Sequence, residues 1–372
     1  MTRATWSRVV AGALALSLAG CAPNRGAEYA SSVAAARRAQ AAGRYEEAAE
    51  RLTVAATQAK LPRDAVFARY EAALLRARSG DVARASRELR AIADMKPPSD
   101  YSAIAAFKAA GLRAETDPEG ATRELEAIAL RWPKAGVARV ALVRVLRRDD
   151  ETSGPAGALR HADALLPRLR GTELEQIVLY ERARRLDALG RTADALAAYL
   201  ALADAFPYPF GVHWDDALYR ASVDEEKLGR PREAIAHLER MLKERESAHF
   251  MGTYERPQYS PALRRIAELY EHALHDRAAA REAHHRFYKD FTTSPLRDDA
   301  LWNEARLFRE DGDTSSSCAR LGTLASDFPD SRYVPCASAM CPDVKRPSKS
   351  HAPKECRAYI TRGEGSAQEG AD

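Results

Sequence analysis

Aromatic residues make up only 7% of this 372-residue chain, and cysteine occurs five times. The chain has no glycine-rich phosphate loop ending in Lys-Ser or Lys-Thr, no His-Glu-x-x-His and no Gly-x-Ser-x-Gly. The best-known motifs of nucleotide hydrolases, zinc proteases and serine hydrolases are therefore missing. The net charge of +4 is spread along the chain and not gathered into a basic block, which argues against a nucleic-acid partner. We expect no catalysis, no cofactor and no small-molecule substrate.

The first 21 residues have the pattern of an export signal. Arg3 and Arg8 precede an apolar run from residue 9 to residue 18, and residues 18–21 are Leu-Ala-Gly-Cys. This run is too short to span a bilayer, which needs roughly 20 apolar residues, and nothing later in the chain has that length. The ending resembles the lipobox of bacterial lipoproteins, which implies that Cys21 becomes a lipidated N-terminus. An unmodified Cys21 after an ordinary signal peptide is the alternative.

This resemblance has consequences for domains and location. It predicts a signal peptide over residues 1–20 and a lipidated linker over residues 21–27. Because Ala22 and not aspartate follows the cysteine, the sorting rule of that lipoprotein family favours the periplasmic face of the outer membrane. Retention in the inner membrane is the alternative.

Glycine and proline recur at fixed spacing. Apolar residues three and four positions apart lie on both sides of Gly190, which predicts two helices joined by a glycine turn. The distance from one turn glycine to the next is 37 positions between Gly43 and Gly80, and 39 between Gly190 and Gly229. The distance from turn glycine to proline is 17 positions in three places: Gly80 to Pro97, Gly190 to Pro207 and Gly312 to Pro329.

A small residue stands five positions after each of five turn glycines, namely Ala48, Ala85, Ala195, Ala234 and Ser317. A period in the thirties with two helices per unit resembles the tetratricopeptide repeat. Ala183, Ala195, Tyr199 and Pro207 stand where that repeat has its small, aromatic and proline residues. The resemblance implies an all-α solenoid of about eight helical hairpins, wound as a right-handed superhelix over residues 28–340. Within it, residues 149–157 are interpreted as an enlarged turn.

Two repeats open with nearly the same residues, Asp-Asp-Ala-Leu-Tyr from Asp215 and Asp-Asp-Ala-Leu-Trp from Asp298. We expect these aspartates to cap helices, because a carboxylate accepts hydrogen bonds from the exposed backbone N–H groups at a helix start and is favoured there by the helix dipole. This version is similar to the repeats of bacterial envelope proteins, such as the outer-membrane assembly lipoprotein BamD and the Tol-Pal-associated periplasmic protein. The chain thus resembles a bacterial envelope tetratricopeptide-repeat lipoprotein.

Four cysteines remain besides Cys21, and all lie in the last fifth of the chain: Cys318, Cys336, Cys341 and Cys356. In an exported protein an even number predicts two disulfides. One pairing is Cys318 with Cys341 and Cys336 with Cys356; the other is Cys318 with Cys336 and Cys341 with Cys356. A zinc site is a further alternative. The proline and lysine content from residue 341 to residue 372 predicts a cysteine-bearing, partly disordered tail.

Four histidines lie close together in the seventh repeat: His272, His275, His284 and His285. His272 and His275 share a helix face and could form half of a metal site. Polar decoration around a turn is the simpler interpretation, with His275 standing where other repeats have the turn glycine. We therefore predict no metal.

Two longer connections collect the scarce aromatic residues. We consider them candidates for partner binding, because aromatic side chains supply contact area at a low entropic cost. Filling of gaps between repeats is the alternative. The first connection carries three aromatic residues, and the second carries three aromatic residues and a methionine: Tyr208, Phe210, Trp214, Phe250, Met251, Tyr254 and Tyr259.

Together these features indicate a lipid-anchored periplasmic scaffold or adaptor. Helical-repeat proteins bind other proteins or extended segments along their stacked surfaces. We expect the partner to be an envelope protein or an extended peptide segment, in envelope or outer-membrane assembly. A pilotin-like lipoprotein for secretin or pilus assembly is one alternative. An accessory envelope metallo-hydrolase using the histidine-rich repeat is the other.

Overall fold

The computed structural model describes residues 25–244 and 256–345, and within them it is all-helical, with no strand. None of these helices is both long and apolar enough to cross a membrane. The α-helices are α1 Ala27–Ala41, α2 Tyr45–Gln58, α3 Pro62–Ser79, α4 Val82–Ala93, α5 Ser102–Arg113, α6 Pro118–Arg131, α7 Gly136–Leu169, α8 Glu175–Ala188, α9 Thr192–Ala205, α10 Trp214–Lys227, α11 Pro231–Leu242, α12 Tyr259–Glu268, α13 Arg277–Asp290, α14 Arg297–Glu310, α15 Thr314–Asp327 and α16 Val334–Met340; a π-helical turn, Leu269–Ala273, extends α12.

The helices pair into eight hairpins in chain order, and α16 follows the last. Hairpins 1 to 3 are α1–α2, α3–α4 and α5–α6, and hairpin 4 is the two halves of α7. Hairpins 5 to 8 are α8–α9, α10–α11, α12–α13 and α14–α15. The chain divides into two compact units, Met1–Val178 and Leu179–Asp372, and the division falls within α8. Within each unit, a helix packs mainly on the helices before and after it.

Left-handed residues close most of the hairpins, as the sequence predicts. Five glycines at these turns have φ between 71° and 99°: Gly43, Gly80, Gly190, Gly229 and Gly312. Glycine adopts this region without the steric cost that a Cβ imposes. Hairpin 7 has His275 in this place, and its φ of 53° makes it the one non-glycine residue with positive φ in the described part of the chain.

The small residues mark where the two helices of a hairpin approach each other. Ala48, Ala85, Ala195, Ala234 and Ser317 are all 0% exposed. In hairpin 7 the residue five positions after His275 is Ala280, which is also 0% exposed. A larger side chain at this position would push the paired helices apart, because protein interiors have no spare volume. The spacing of turn and small residue is therefore a packing rule.

The enlarged turn expected at residues 149–157 is wrong. Helical backbone continues through this segment except at Gly154, which has φ 65° and ψ 177°. Pro155 then starts the second half of α7, a position where its missing N–H costs nothing. One glycine thus makes a tight turn where the polar composition suggested a loop.

The paired aspartates are not the N-cap residues of their helices, although Asp298 Oδ1 accepts from the backbone N–H of Asp299 at 2.9 Å. The N-cap residues of α10 and α14 are His213 and Leu296, and neither accepts a capping hydrogen bond. The aspartates that do cap are other ones, each accepting from the backbone N–H three positions on: Asp81, Asp117, Asp276 and Asp313.

The paired aspartates connect successive repeats. Arg256 Nη1 lies 2.9 Å from Asp215 Oδ1, and Gln258 Nε2 donates to Asp216 at 3.0 Å. At the equivalent place, Ser331 Oγ donates to Asp298 at 2.7 Å and the Tyr333 hydroxyl donates to Asp299. The first partner, Arg256 or Ser331, stands three positions before the next described helix, which is α12 or α16. The second partner, Gln258 or Tyr333, stands one position before that helix. We call this arrangement the aspartate bracket.

A disulfide joins the end of α16 to hairpin 8. Cys318 on α15 is bonded to Cys341, with Cα atoms 5.6 Å apart. This is the first of the two pairings considered from the sequence, and it excludes Cys318 with Cys336. Cys336 is also disulfide-bonded. Because Cys356 lies outside the described residues, the pairing of Cys336 with Cys356 stays a prediction.

Candidate functional site

The first aromatic connection joins α9 to α10 and exposes apolar side chains. Phe210 is 85% exposed and Val212 is 48% exposed, whereas Tyr208 is half-buried. An isolated exposed apolar residue is ordinary, but Phe210 and Val212 lie two positions apart on one connection. Phe210, Val212 and Tyr208 form what we call the Phe210 edge.

Two of the predicted partner-binding residues are part of the core instead. Trp214 is 3% exposed and Tyr259 is 1% exposed. Each begins a helix and packs inward, so their large apolar surfaces are removed from water and are inaccessible to a partner. The gap-filling alternative therefore describes these two side chains. Phe250, Met251 and Tyr254 lie outside the described residues.

Arg256 holds the Phe210 edge in place from the following connection. Its guanidinium donates to the Gly211 carbonyl oxygen at 2.9 Å and to the Pro209 carbonyl oxygen at 3.1 Å. The same group pairs with Asp215 and lies over the Tyr208 ring, 5.1 Å from its centroid. Gly211 is required here, because a Cβ would meet the Phe206 carbonyl oxygen at 1.9 Å. The connection that exposes Phe210 is therefore fixed by several polar contacts.

A polar cavity of about 320 Å³ lies between hairpins 7 and 8. It brings together His272 and His284, two of the four histidines that the sequence singles out. The other two lie elsewhere: His275 forms the turn, and His285 Nδ1 lies 3.1 Å from Glu304. The remaining side chains that line this cavity are Arg264, Glu268, Glu271, Phe287, Leu296, Asp299, Ala300, Asn303, Arg306 and Arg332. We call it the hairpin 7–8 cavity.

The carboxylates of this cavity already have donors. Both oxygens of Glu271 accept from Arg306 at 2.8 Å, and this pair holds hairpin 7 to hairpin 8. Glu268 accepts from Arg265 at 3.0 Å. Asp299 accepts from Arg332 at 2.7 Å and from the Tyr333 hydroxyl in the aspartate bracket. Arginine also lowers the pKa of Glu271, although burial opposes that shift.

His284 is the buried member of the cavity. Its side chain is 9% exposed, and burial lowers the pKa of its imidazole from 6.5 to about 4. Among the described residues it has no hydrogen-bond partner, although it is surrounded by charged groups. At neutral pH the imidazole is therefore uncharged and presents an unused ring N–H and an unused ring nitrogen to the cavity.

The geometry gives no support to a metal site at these histidines. Nowhere in residues 25–244 and 256–345 do three or more His, Cys, Asp or Glu side chains come together as a metal would need.

The sequence alone did not identify Arg256 or Arg264 as candidate functional residues. Each is one arginine among many in the chain, and only the folded arrangement distinguishes them.

Residues 299–331, which make up most of hairpin 8, match the tetratricopeptide repeat family. No curated protein matches the chain. The family match and the eight hairpins make the fold class all-α, built from helical hairpins of tetratricopeptide type.

The chain is similar to several solved structures that contain such repeats. One is PilW, a type IV pilus biogenesis factor, with 18% identity over 62% of this chain and 95% of that one, and a TM-score of 0.36. Another is a STAND signal-transduction ATPase with a tetratricopeptide repeat sensor from Pyrococcus horikoshii, with 16% identity over 82% and 49% of the two chains and a TM-score of 0.45. A third is a tetratricopeptide repeat protein from Parabacteroides merdae, with 12% identity over 75% and 99% and a TM-score of 0.33.

Identities and TM-scores this low say nothing about function. The narrower resemblance to the repeats of the outer-membrane assembly lipoprotein and of the Tol-Pal-associated protein stays a prediction.

Proposed function

We propose that this protein is a scaffold of the bacterial envelope that binds a protein partner through the Phe210 edge. The observation that carries the proposal is an 85%-exposed phenylalanine on a connection that Arg256 fixes in place. Aromatic anchors supply much of the binding energy in protein interfaces, and a preorganised anchor loses little entropy on binding. A stack of helical hairpins is a suitable support for such an edge.

The test replaces Phe210 by alanine in the full chain. Crosslinking in the native envelope followed by mass spectrometry identifies captured proteins, and thermal unfolding of the purified protein checks the fold. We expect Phe210→Ala to reduce capture of a specific partner at least tenfold and to leave the melting temperature unchanged, because the side chain is outside the core. Val140→Ala, which truncates a 45%-exposed valine on α7, is the matched control. Equal capture by Phe210→Ala and wild type would reject the edge as the binding site.

Location is the second part of the proposal. The lipobox-like ending at Cys21 supports lipidation and attachment to the periplasmic face of the outer membrane, and Cys21 itself lies outside the described residues. We expect Cys21→Ser to release the protein from membranes or to leave it unprocessed. Membrane fractionation after a salt wash measures this, and wild-type behaviour of Cys21→Ser would contradict the lipid anchor.

Pilotin-like activity remains the alternative within the same class of binding protein. The similarity to PilW is too low to favour it. The crosslinking experiment also decides this point, because a pilotin would be captured with a secretin or pilus component, whereas an assembly scaffold would be captured with other envelope proteins.

A further inference from the structure

Hairpin 7 has an imidazole at a core position that five other hairpins fill with leucine. This position stands four residues after the small residue of the second helix. Tyr199 occupies it in hairpin 5, and leucine occupies it in hairpins 1, 2, 3, 6 and 8, as Leu52, Leu89, Leu125, Leu238 and Leu321; all six are at most 9% exposed. The repeat does not need a histidine here, so its presence asks for another explanation.

The imidazole of His284 lines the cavity and has no hydrogen-bond partner among the described residues. Leucine at residue 284 would suit the repeat, as it does at the equivalent position of five other hairpins. An unpartnered polar group at the wall of a cavity, on a side chain that is only 9% exposed, indicates a ligand that completes its hydrogen bonding.

The rest of the cavity indicates which chemistry that ligand has. Glu268, Glu271 and Asp299 already accept from arginine. Arg264 is exposed at the rim and has no ion pair or hydrogen bond with any described residue. The Asn303 amide donates to the Asp299 carbonyl oxygen at 3.0 Å and has a second N–H to give. The unused groups are therefore mainly N–H donors, which a carboxylate accepts best.

We infer that the hairpin 7–8 cavity binds a carboxylate side chain from an acidic segment of the partner protein. Arg264 and the ring N–H of His284 donate to the carboxylate, and Asn303 is placed to donate a third hydrogen bond. A cavity of about 320 Å³ is at the small end of the range for ligand sites, and it suits one or two side chains entering from the surface. The inference rests on the proposed function, since it specifies the chemistry of the same partner at a second contact.

The test measures binding of three labelled peptides to the detergent-solubilised full-length protein by fluorescence anisotropy. The peptides share a Gly-Ser framework and carry four glutamates, four glutamines or four lysines. We expect the glutamate peptide to bind at least tenfold more tightly than the glutamine peptide, and its affinity to fall as salt is added. Equal binding of glutamate and glutamine peptides would overturn the inference. Preference for the lysine peptide would overturn it too, since Glu268 and Glu271 would then be the binding groups.

Variants locate the binding to this cavity. Arg264→Gln and His284→Leu should each weaken the glutamate peptide about tenfold or more, the usual effect of losing a hydrogen bond to a charged group. Arg232→Gln, which changes an exposed arginine on α11, is the control. His284→Leu should not lower the melting temperature, so a folding defect and a binding defect are distinguishable. Wild-type binding by both cavity variants would reject the site.

Failure of this inference is separable from failure of the proposed function. If Phe210→Ala abolishes partner capture while Arg264→Gln has no effect on capture or on peptide binding, the scaffold stands and the carboxylate site does not. If no specific partner is captured by wild-type protein, the proposed function itself is wrong.

Discussion

Replacing His284 by leucine should change how the stability of the protein depends on pH. The folded protein keeps this imidazole neutral, because burial lowers its pKa from 6.5 to about 4. The nearby Glu271 carboxylate opposes that shift, and Arg306, Arg264 and His272 add to it. The unfolded chain therefore binds more protons than the folded chain between pH 6.5 and pH 4, and acid favours unfolding across this window.

The magnitude follows from the two pKa values. A shift of the pKa from 6.5 to about 4 destabilises the folded protein by about 3 kcal/mol at a pH so low that the imidazole is protonated in both the folded and the unfolded chain. Between pH 7.5 and pH 5 the free energy of unfolding falls by about 2 kcal/mol, because at pH 5 the imidazole is mostly charged in the unfolded chain and mostly neutral in the folded one. At pH 7.5, leucine should already stabilise the protein by about 1 kcal/mol, because burial of a neutral imidazole costs more than burial of an apolar side chain. At pH 5 the advantage of His284→Leu over wild type should grow to about 3 kcal/mol.

Urea unfolding of the full chain at the two pH values, followed by circular dichroism, measures the difference. Comparing the variant with wild type at each pH cancels the contributions of the other titrating groups. His272→Gln removes an exposed imidazole from the same cavity and is the control. If the advantage of His284→Leu is the same at pH 7.5 and pH 5, the imidazole is not held neutral by burial and the reasoning is refuted.

Three further predictions concern the repeat itself. His275→Gly should raise the free energy of unfolding by about 0.5–1 kcal/mol, measured by urea unfolding, because residue 275 has φ 53°; a loss of stability would contradict this. Ala195→Leu should cost about 1–3 kcal/mol, because residue 195 is fully buried between paired helices, whereas Ala197→Leu on the exposed face of the same helix should have little effect. Cys318→Ser with Cys341→Ser should cost about 3 kcal/mol, as expected for opening a loop of 23 residues; unchanged thermal unfolding would show that the disulfide is dispensable.

The hairpins could be predicted because their signals are local. The turn glycine allows a left-handed turn, and the small residue five positions later allows the two helices to approach closely. Both requirements lie within one hairpin. The same logic identified His275 as a turn residue. The rule failed at residues 149–157, where polar residues suggested a loop although a single glycine, Gly154, was enough to reverse the chain.

The candidate binding surfaces could be predicted only in part, because they depend on neighbours far away in sequence. Phe210 and Trp214 are four positions apart and have the same local pattern in the sequence. In the structure, Trp214 begins α10 and is buried, whereas Phe210 lies on the connection that Arg256 holds and is exposed to water. No residue close to Arg256 in the sequence indicates that Arg256 donates hydrogen bonds to a connection more than 40 positions earlier. The importance of His284 depends on a comparison with the equivalent position in other hairpins and on the polar wall that hairpin 8 supplies.

The aspartate bracket makes the junctions of this chain interchangeable. Asp215 and Asp216 meet the residues before α12 in the same register in which Asp298 and Asp299 meet those before α16. Loss of residues 256–330 by recombination would bring Ser331 and Tyr333 to the first aspartate pair, where they could donate to Asp215 and Asp216 as they now donate to Asp298 and Asp299, although Arg256 and Cys318 would be lost. Gene duplication or deletion could thus change the array in steps of two hairpins and keep the hydrogen bonds of the bracket at the new junction.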